Sequence, residues 1–319
     1  MKEEKHLLFI APYYYGFDDV VYFGLENYSD YNIHRITIGN TYKYSNLYER
    51  IINFFSKTFL NKNLKPQKLK KYQIKKINNI DSYDILIINR PDILDNDVLN
   101  CAISKSKNSI ALFWDSLEKI QAQKERIQFF DKCFSFDIED CVKYNLAKNN
   151  NFYFVTETIE KPEFDVFFFG TVDNRIVKLE KILNKLSEIG LNVSAKLYDP
   201  TNKKISEPNS KIKYLDKIIP FKDSHIFNQN TKVILDLKHD NQTGLSFRPF
   251  EALGMKKKLI TDNKQIKNYD FYNPNNICII DENHLNIPDS FFNTPYQELP
   301  ENIYSKYNLE NWIQHILET

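Results

Sequence analysis

The chain has 319 residues, enough for two domains that each bury a core, and Lys+Arg 43 against Asp+Glu 42 leaves a formal charge of +1. So even a balance argues against nucleic acid as a partner, for which a strongly basic domain is expected. Four cysteines (Cys101, Cys133, Cys141, Cys278) are scattered without a C-x-x-C pair, which fits a reducing compartment and neither a disulfide framework nor a zinc site.

The charged start at Met1 to His6 runs into Leu7-Leu8-Phe9-Ile10, a strand-length apolar run too short for a secretory signal. No run approaches the length of a membrane span, so a cytoplasmic protein is expected, either soluble or lying at the inner face of the membrane. Short apolar runs then alternate with helix-like stretches. Strands are predicted over 6–11, 33–38, 85–88, 109–113, 133–136 and 152–155, and again over 164–169, 193–197, 212–215, 233–237, 258–261 and 277–280. This alternation, made twice, predicts an α/β chain of two Rossmann-like doubly wound parallel-sheet domains facing across a cleft, with ligands at the carboxyl ends of the strands. The charged Glu160-Lys161-Pro162-Glu163 marks the join. The expected domains are 1–160 and 161–302. A last segment, 303–319, has helical spacing in Tyr307, Trp312, Ile313 and Ile316 and is expected to pack back on the first domain.

Residues 54–76 depart from the average, with Lys57, Lys62, Lys65, Lys68, Lys70, Lys71, Lys75 and Lys76 among Phe54, Phe55, Phe59, Leu60 and Tyr72. Such a run is more often a solvated face than a docking site. It also suits an anionic membrane surface, where each lysine contributes about 1 kcal/mol.

Only 7 glycines occur, and three of them fall in strand-to-helix loops: Gly16, Gly170 and Gly244. No G-x-G-x-x-G or P-loop spacing accompanies them, so a dinucleotide or triphosphate motif is not supported. Gly170 and Thr171 lead through Asp173 to Arg175 at a predicted helix start. Lys238 and His239 close a strand before the polar loop Thr243-Gly244-Leu245-Ser246, which enters a short helix carrying Phe247, Arg248 and Glu251. Helix-start N–H groups and guanidinium groups can hold a diphosphate, and a carboxylate one turn on can accept from ribose hydroxyls, which suits a sugar nucleotide. The plainer alternative is a buried helix with an ordinary ion pair.

Carboxylates end or follow strands of the first half at Asp18, Asp19, Asp115 and Asp137. One of them could act as general base toward a hydroxyl within hydrogen-bond reach. Asp and Ser before helices are equally ordinary N-caps. The six histidines show no ligand spacing and Asp95-Asn96-Asp97 is a lone D-x-D, so neither a metal nor a cofactor is expected.

The chain resembles bacterial GT-B glycosyltransferases of the spore-maturation-type and lipopolysaccharide- or capsule-biosynthesis group. The resemblance is carried by Gly16-Phe17-Asp18, Phe113-Trp114-Asp115-Ser116, Phe134-Ser135-Phe136-Asp137, Phe168-Phe169-Gly170-Thr171 with Arg175, Gly244 to Leu253, and Asp270-Phe271-Tyr272-Asn273-Pro274. It implies the GT-B fold, a nucleotide-sugar donor on the second domain and a glycan or lipid-linked glycan acceptor on the first. It also implies a ribose contact for Glu251. The chain departs from the group at Thr243, where retaining members often carry the first Glu of a Glu-x7-Glu pattern, so the stereochemical course is left open. The expectation is a glycosyltransferase of surface polysaccharide assembly. Gly170, Thr171, Arg175, Lys238, Thr243, Gly244, Ser246, Phe247, Arg248 and Glu251 would serve the donor, and Asp18 or Asp115 would be the base. A binding protein that lost the chemistry and a sugar-nucleotide epimerase are the alternatives.

Overall fold

A computed structural model describes residues 4–38, 64–199, 209–239, 243–281 and 285–318. The first half contains β1 (His6–Pro12), α1 (Phe17–Tyr28), β2 (Asn32–Ile38), α2 (Lys65–Ile77), β3 (Tyr83–Asn89), a 3₁₀ turn (Pro91–Ile93), α3 (Asn96–Ser104), β4 (Ser106–Phe113), a 3₁₀ helix (Gln121–Phe129), β5 (Lys132–Ser135), α4 (Ile138–Tyr144) and β6 (Ala147–Lys148). These strands form one sheet in the order β2-β1-β3-β4-β5-β6, parallel from β2 through β5. Leu7, Leu8, Phe9 and Ile10 of β1 are all buried, as expected of a parallel strand covered on both faces. Of the lysine-rich stretch, residues 54–63 lie outside the described residues. The rest forms α2.

The second half contains β7 (Phe164–Thr171), α5 (Ile176–Glu188), β8 (Val193–Tyr198), β9 (Ile212–Leu215), α6 (Phe221–Gln229), β10 (Thr231–Asp236), α7 (Phe247–Gly254), β11 (Lys258–Thr261), β12 (Ile277–Ile279), α8 (Asp289–Asn293), α9 (Glu301–Tyr304) and α10 (Leu309–Leu317). The strands pair in parallel in the order β12-β11-β10-β7-β8-β9. The two-residue period of β10 separates the faces. Val233 and Leu235 join the core under α5, with Leu179, Ile182, Leu183 and Leu186, while Ile234 joins the core under α7, with Phe250 and Leu253. The fold is therefore that of the GT-B class, with two Rossmann-like α/β domains.

One predicted strand does not form. Residues 152–155 make only an isolated bridge, Tyr153 to Asn308, and the sixth strand is β6 instead. The reason lies in the aromatic side chains. Phe152 packs against Phe17, Phe247 and Trp312 at ring-centre distances of 5.8, 5.5 and 4.7 Å, and Phe154 against Phe221 at 5.4 Å, so side-chain packing rather than a ladder fixes this run.

By its contacts the chain divides into two units. One comprises Met1–Tyr14, Asp18–Ser135 and Lys143–Ala147; the other comprises Tyr15–Phe17, Phe136–Val142 and Lys148–Thr319. The terminal helix α10 docks on residues 150–153, where Trp312 Nε1 donates to the Asn150 carbonyl at 2.7 Å and Leu309 N donates to the Tyr153 carbonyl at 2.8 Å.

Candidate functional site

In the second unit the strand order reverses between β7 and β10, the point where crossovers leave in opposite directions and strand carboxyl ends stay open to a ligand. Arg248, at the start of α7, reaches back to this point. Its Nε and Nη2 donate to the Phe169 carbonyl of β7 at 2.9 and 2.5 Å, and its Nη1 lies 3.4 Å from Asp236 Oδ1 at the end of β10. The guanidinium carbon sits 4.6 Å from the centre of the Phe168 ring. Gly170 permits this approach: a Cβ there would lie 2.9 Å from Phe168 Cε1 and 3.0 Å from Arg248 Nη2. Burial pulls the Arg248 pKa down, with Asp236 opposing and Arg175 adding to the shift.

Arg175 precedes α5 and meets the same ring at 6.0 Å. It donates Nη1 to the Leu237 carbonyl at 2.6 Å, while its Nε and Nη2 grip Asp173 at 2.9 and 2.6 Å. Burial raises the Asp173 pKa, but the Arg175 hydrogen bonds outweigh it and hold the carboxyl below its ordinary value. Lys178 Nζ contacts Asp262 Oδ2 at 2.7 Å, Asp262 Oδ1 accepts from Lys238 N at 2.8 Å, and His239 Nδ1 lies 3.8 Å from Asp173. Thr171, at the end of β7, is exposed. The structure thus gathers Gly170, Thr171, Arg175, Lys238 and Arg248 at one end of the sheet, with both guanidinium groups beside a carboxylate and a carbonyl.

Ser246 caps α7, its Oγ accepting from Arg248 N at 3.3 Å while donating to Asp236 Oδ1 at 2.8 Å. Thr243 and Gly244 are set by the turn after β5. Thr243 donates N–H and Oγ1 to Asp137 at 3.1 and 2.8 Å, and a Cβ on Gly244 would fall 2.7 Å from the Phe136 carbonyl oxygen. Asp137 also accepts from Glu139 N at 3.0 Å, so among the sequence candidates it is a cap and tether. Phe247 points into the aromatic cluster, 4.8 Å from Phe17 and 4.7 Å from Phe221. Glu251, one turn into α7, faces α6: its Oε2 accepts from Asn228 at 2.9 Å and its Oε1 from Ser224 at 3.5 Å. Burial pushes its pKa up, opposed by Arg248.

In the first unit the strand order reverses between β1 and β3. Tyr14, just past β1, links the two predicted bases: its N–H donates to Asp18 Oδ1 at 2.9 Å and its hydroxyl lies 3.5 Å from Asp115 Oδ2. Asp18 is fully buried and its other oxygen is paired with Arg35, whose Nη1 also meets Asp19 at 2.7 Å. Asp115, past β4, is held by Lys119 Nζ at 2.5 Å. Arg90, past β3, takes a left-handed backbone at φ 57° and grips Asp92 with Nε and Nη2, each at 2.8 Å. Asp92 raises the Arg90 pKa most, and Asp115 adds to the shift. Asp95 caps α3 by accepting from Asp97 N, as an ordinary N-cap does. Among the described residues no three His, Cys, Asp or Glu are grouped to hold a metal ion.

Sequence reasoning includes Phe168 and Asp173 within the strand-end motif without giving them a site role, and does not single out Asp236. Asp236 carried a signal, since it is a carboxylate inside an otherwise apolar strand run, Val233 to Leu237. The ring role of Phe168 was not legible, because it depends on two arginines meeting above it.

The sequence matches no protein-family model and no curated protein. Among solved structures, the apo form of the lipopolysaccharide outer core galactosyltransferase WaaB superposes with a TM-score of 0.50 at 11% identity, over 98% of this chain and 99% of that one. The glycosyltransferase SnogD from Streptomyces nogalater gives 0.46 at 9% identity over 99% and 100% of the two chains. The UDP-N-acetylglucosamine 2-epimerase from Rickettsia bellii gives 0.49 at 11% over 99% and 96%. At 11% identity the likeness to WaaB is one of fold.

Proposed function

We propose that the protein is a glycosyltransferase that moves a sugar from a nucleotide-sugar donor to a hydroxyl of a growing surface glycan, such as lipopolysaccharide or capsule. The observation that carries this reading is the pair of guanidinium groups, Arg248 and Arg175, converging on Phe168 where the strand order of the second sheet reverses. The WaaB structure, with the same fold, is that of a lipopolysaccharide galactosyltransferase, which motivates the choice of acceptor class.

In this reading the acceptor hydroxyl attacks the anomeric carbon of the donor, the bond from that carbon to the diphosphate oxygen breaks, and the nucleoside diphosphate leaves with the bonding pair. Arg248 and Arg175 stabilise the charge that grows on it, so no metal is required. Asp115 is the better base of the two candidates. Asp18 is fully buried and bound by a backbone N–H and a guanidinium, whereas the partners of Asp115 are a phenol at 3.5 Å and the half-exposed ammonium of Lys119. The partners are the nucleotide sugar and a glycan or lipid-linked glycan. Helix α2 carries Lys65, Lys68, Lys70, Lys71, Lys75 and Lys76 and no acidic residue, which suits contact with an anionic membrane at its cytoplasmic face. No helix among the described residues is long and apolar enough to cross one.

The test is thermal shift of the protein against nucleoside diphosphates and sugar nucleotides, followed by transfer assays with any stabilising donor. One selective stabiliser is expected. Absence of any shift overturns the reading, and epimerised nucleotide formed without an acceptor replaces it with the epimerase.

A further inference from the structure

Asp236 is 1% exposed and ends β10 at the strand-order reversal. Its two oxygens collect three donors from two other elements: Ser246 Oγ at 2.8 Å and Arg248 Nη1 at 3.4 Å on Oδ1, and Thr261 Oγ1 from the end of β11 at 2.9 Å on Oδ2. Thr261 is itself fully buried and accepts from Asn263 N at 3.1 Å, so the Oδ2 side is anchored to the next strand. The Oδ1 side is the one that touches the candidate site. Three of the five guanidinium N–H groups of Arg248 are directed to Phe169 and Asp236, which leaves two without a partner among the described residues.

A buried carboxylate needs its lone pairs satisfied whatever its role, but stability alone does not dictate which elements supply the donors. This one joins the helix cap to the arginine one residue inside the helix, so the α7 start and the direction of the remaining Arg248 N–H groups are set by one group. We propose that Asp236 is a positioning residue, which aims Arg248 and the Ser246-capped start of α7 at a diphosphate bound at the carboxyl end of the second sheet. This rests on the reading of that end as a diphosphate site. Asp236 acts through Arg248 and does not touch the ligand, so its effect vanishes once Arg248 is gone.

The experiment is a double-mutant cycle read by calorimetric titration with inorganic pyrophosphate and with the nucleoside diphosphate that best stabilises the wild-type protein. The proteins are wild type, Asp236→Asn, Arg248→Ala and the double variant, each with its melting temperature. Asp236→Asn is near-isosteric and retains one acceptor oxygen. It is expected to weaken both probes about 10-fold, while the double variant binds no more weakly than Arg248→Ala alone. A purely structural role would lower the melting temperature and give losses that add. Should Asp236→Asn not fold, Thr261→Val keeps the charge but frees Oδ2, with about a 3-fold loss expected from the same cycle. Additive losses, unchanged affinity or tighter binding in the folded variant overturn the Asp236 assignment while leaving the diphosphate site standing. A wild-type protein that binds neither probe overturns the diphosphate reading and the role of Asp236 together.

Discussion

Arg248 donates twice to the carbonyl of Phe169, through Nε at 2.9 Å and Nη2 at 2.5 Å, so the start of α7 is tied to the carboxyl end of β7 across a sequence separation of 79 residues. With the Nη1 contact to Asp236, the two strands that frame the strand-order reversal, β7 and β10, are both held by this partly buried cation. Arg248→Lys cannot reproduce a planar fork on one carbonyl. It is expected to weaken pyrophosphate binding at least 10-fold in titration calorimetry, although the charge is kept.

Gly170→Ala tests the same contact by volume. Its Cβ would stand 2.9 Å from Phe168 Cε1 and 3.0 Å from Arg248 Nη2, so ring or guanidinium must shift. A loss of about 1–3 kcal/mol in chemical denaturation is expected, as for overpacking elsewhere, together with weaker nucleotide binding.

Glu251 separates two roles. Its carboxylate is bonded to Asn228 and Ser224 of α6, so Glu251→Ala should cost about 1–3 kcal/mol by leaving the buried Asn228 amide unpaired. Pyrophosphate and nucleotide affinities should fall together in Glu251→Gln. A loss confined to nucleotides would instead give this side chain the ribose contact that the family resemblance implies.

Asp18 and Asp115 should behave differently. Asp18→Asn leaves Arg35 without its buried partner and is expected to lower the melting temperature strongly. Asp115→Asn should leave the melting temperature nearly unchanged and reduce transfer at least 100-fold, with donor affinity intact.

Lys257 supplies a pH signature. Its ammonium donates to the Gln229 carbonyl at 2.9 Å and to that of Thr231, and burial pulls its pKa from 10.5 to about 8. The folded chain therefore gives up this proton before the unfolded one does. Stability from this group rises as pH climbs from about 8 towards 10.5 and is level below 8. Lys257→Met should remove that rise from the difference between its melting curves and those of the wild type at pH 8 and pH 10.

Most of the fold was legible in the chain because its determinants are local. Runs such as Leu7 to Ile10 and Val233 to Leu235 announce buried parallel strands by apolar continuity, and the helix stripe Leu179, Ile182, Leu183, Leu186 repeats at helical spacing. Strand-to-helix loops could likewise be located from Gly170, Gly244 and the arginines that follow them. The run at 152–155 misled because apolar content specifies burial and leaves open whether backbone pairing or aromatic packing accomplishes it.

The arrangement of side chains at the strand ends was not local. Whether Asp137 is a base or a tether depends on Thr243, 106 residues away, and whether Glu251 faces a ligand or a helix depends on where α6 lies. Periodicity and composition therefore specify which segments are buried and in what secondary structure. The partner of each buried charge follows from strand order, which brings Phe168, Arg175, Asp236 and Arg248 together through hydrogen bonds and ring contacts that act over less than 7 Å and carry no trace in sequence spacing.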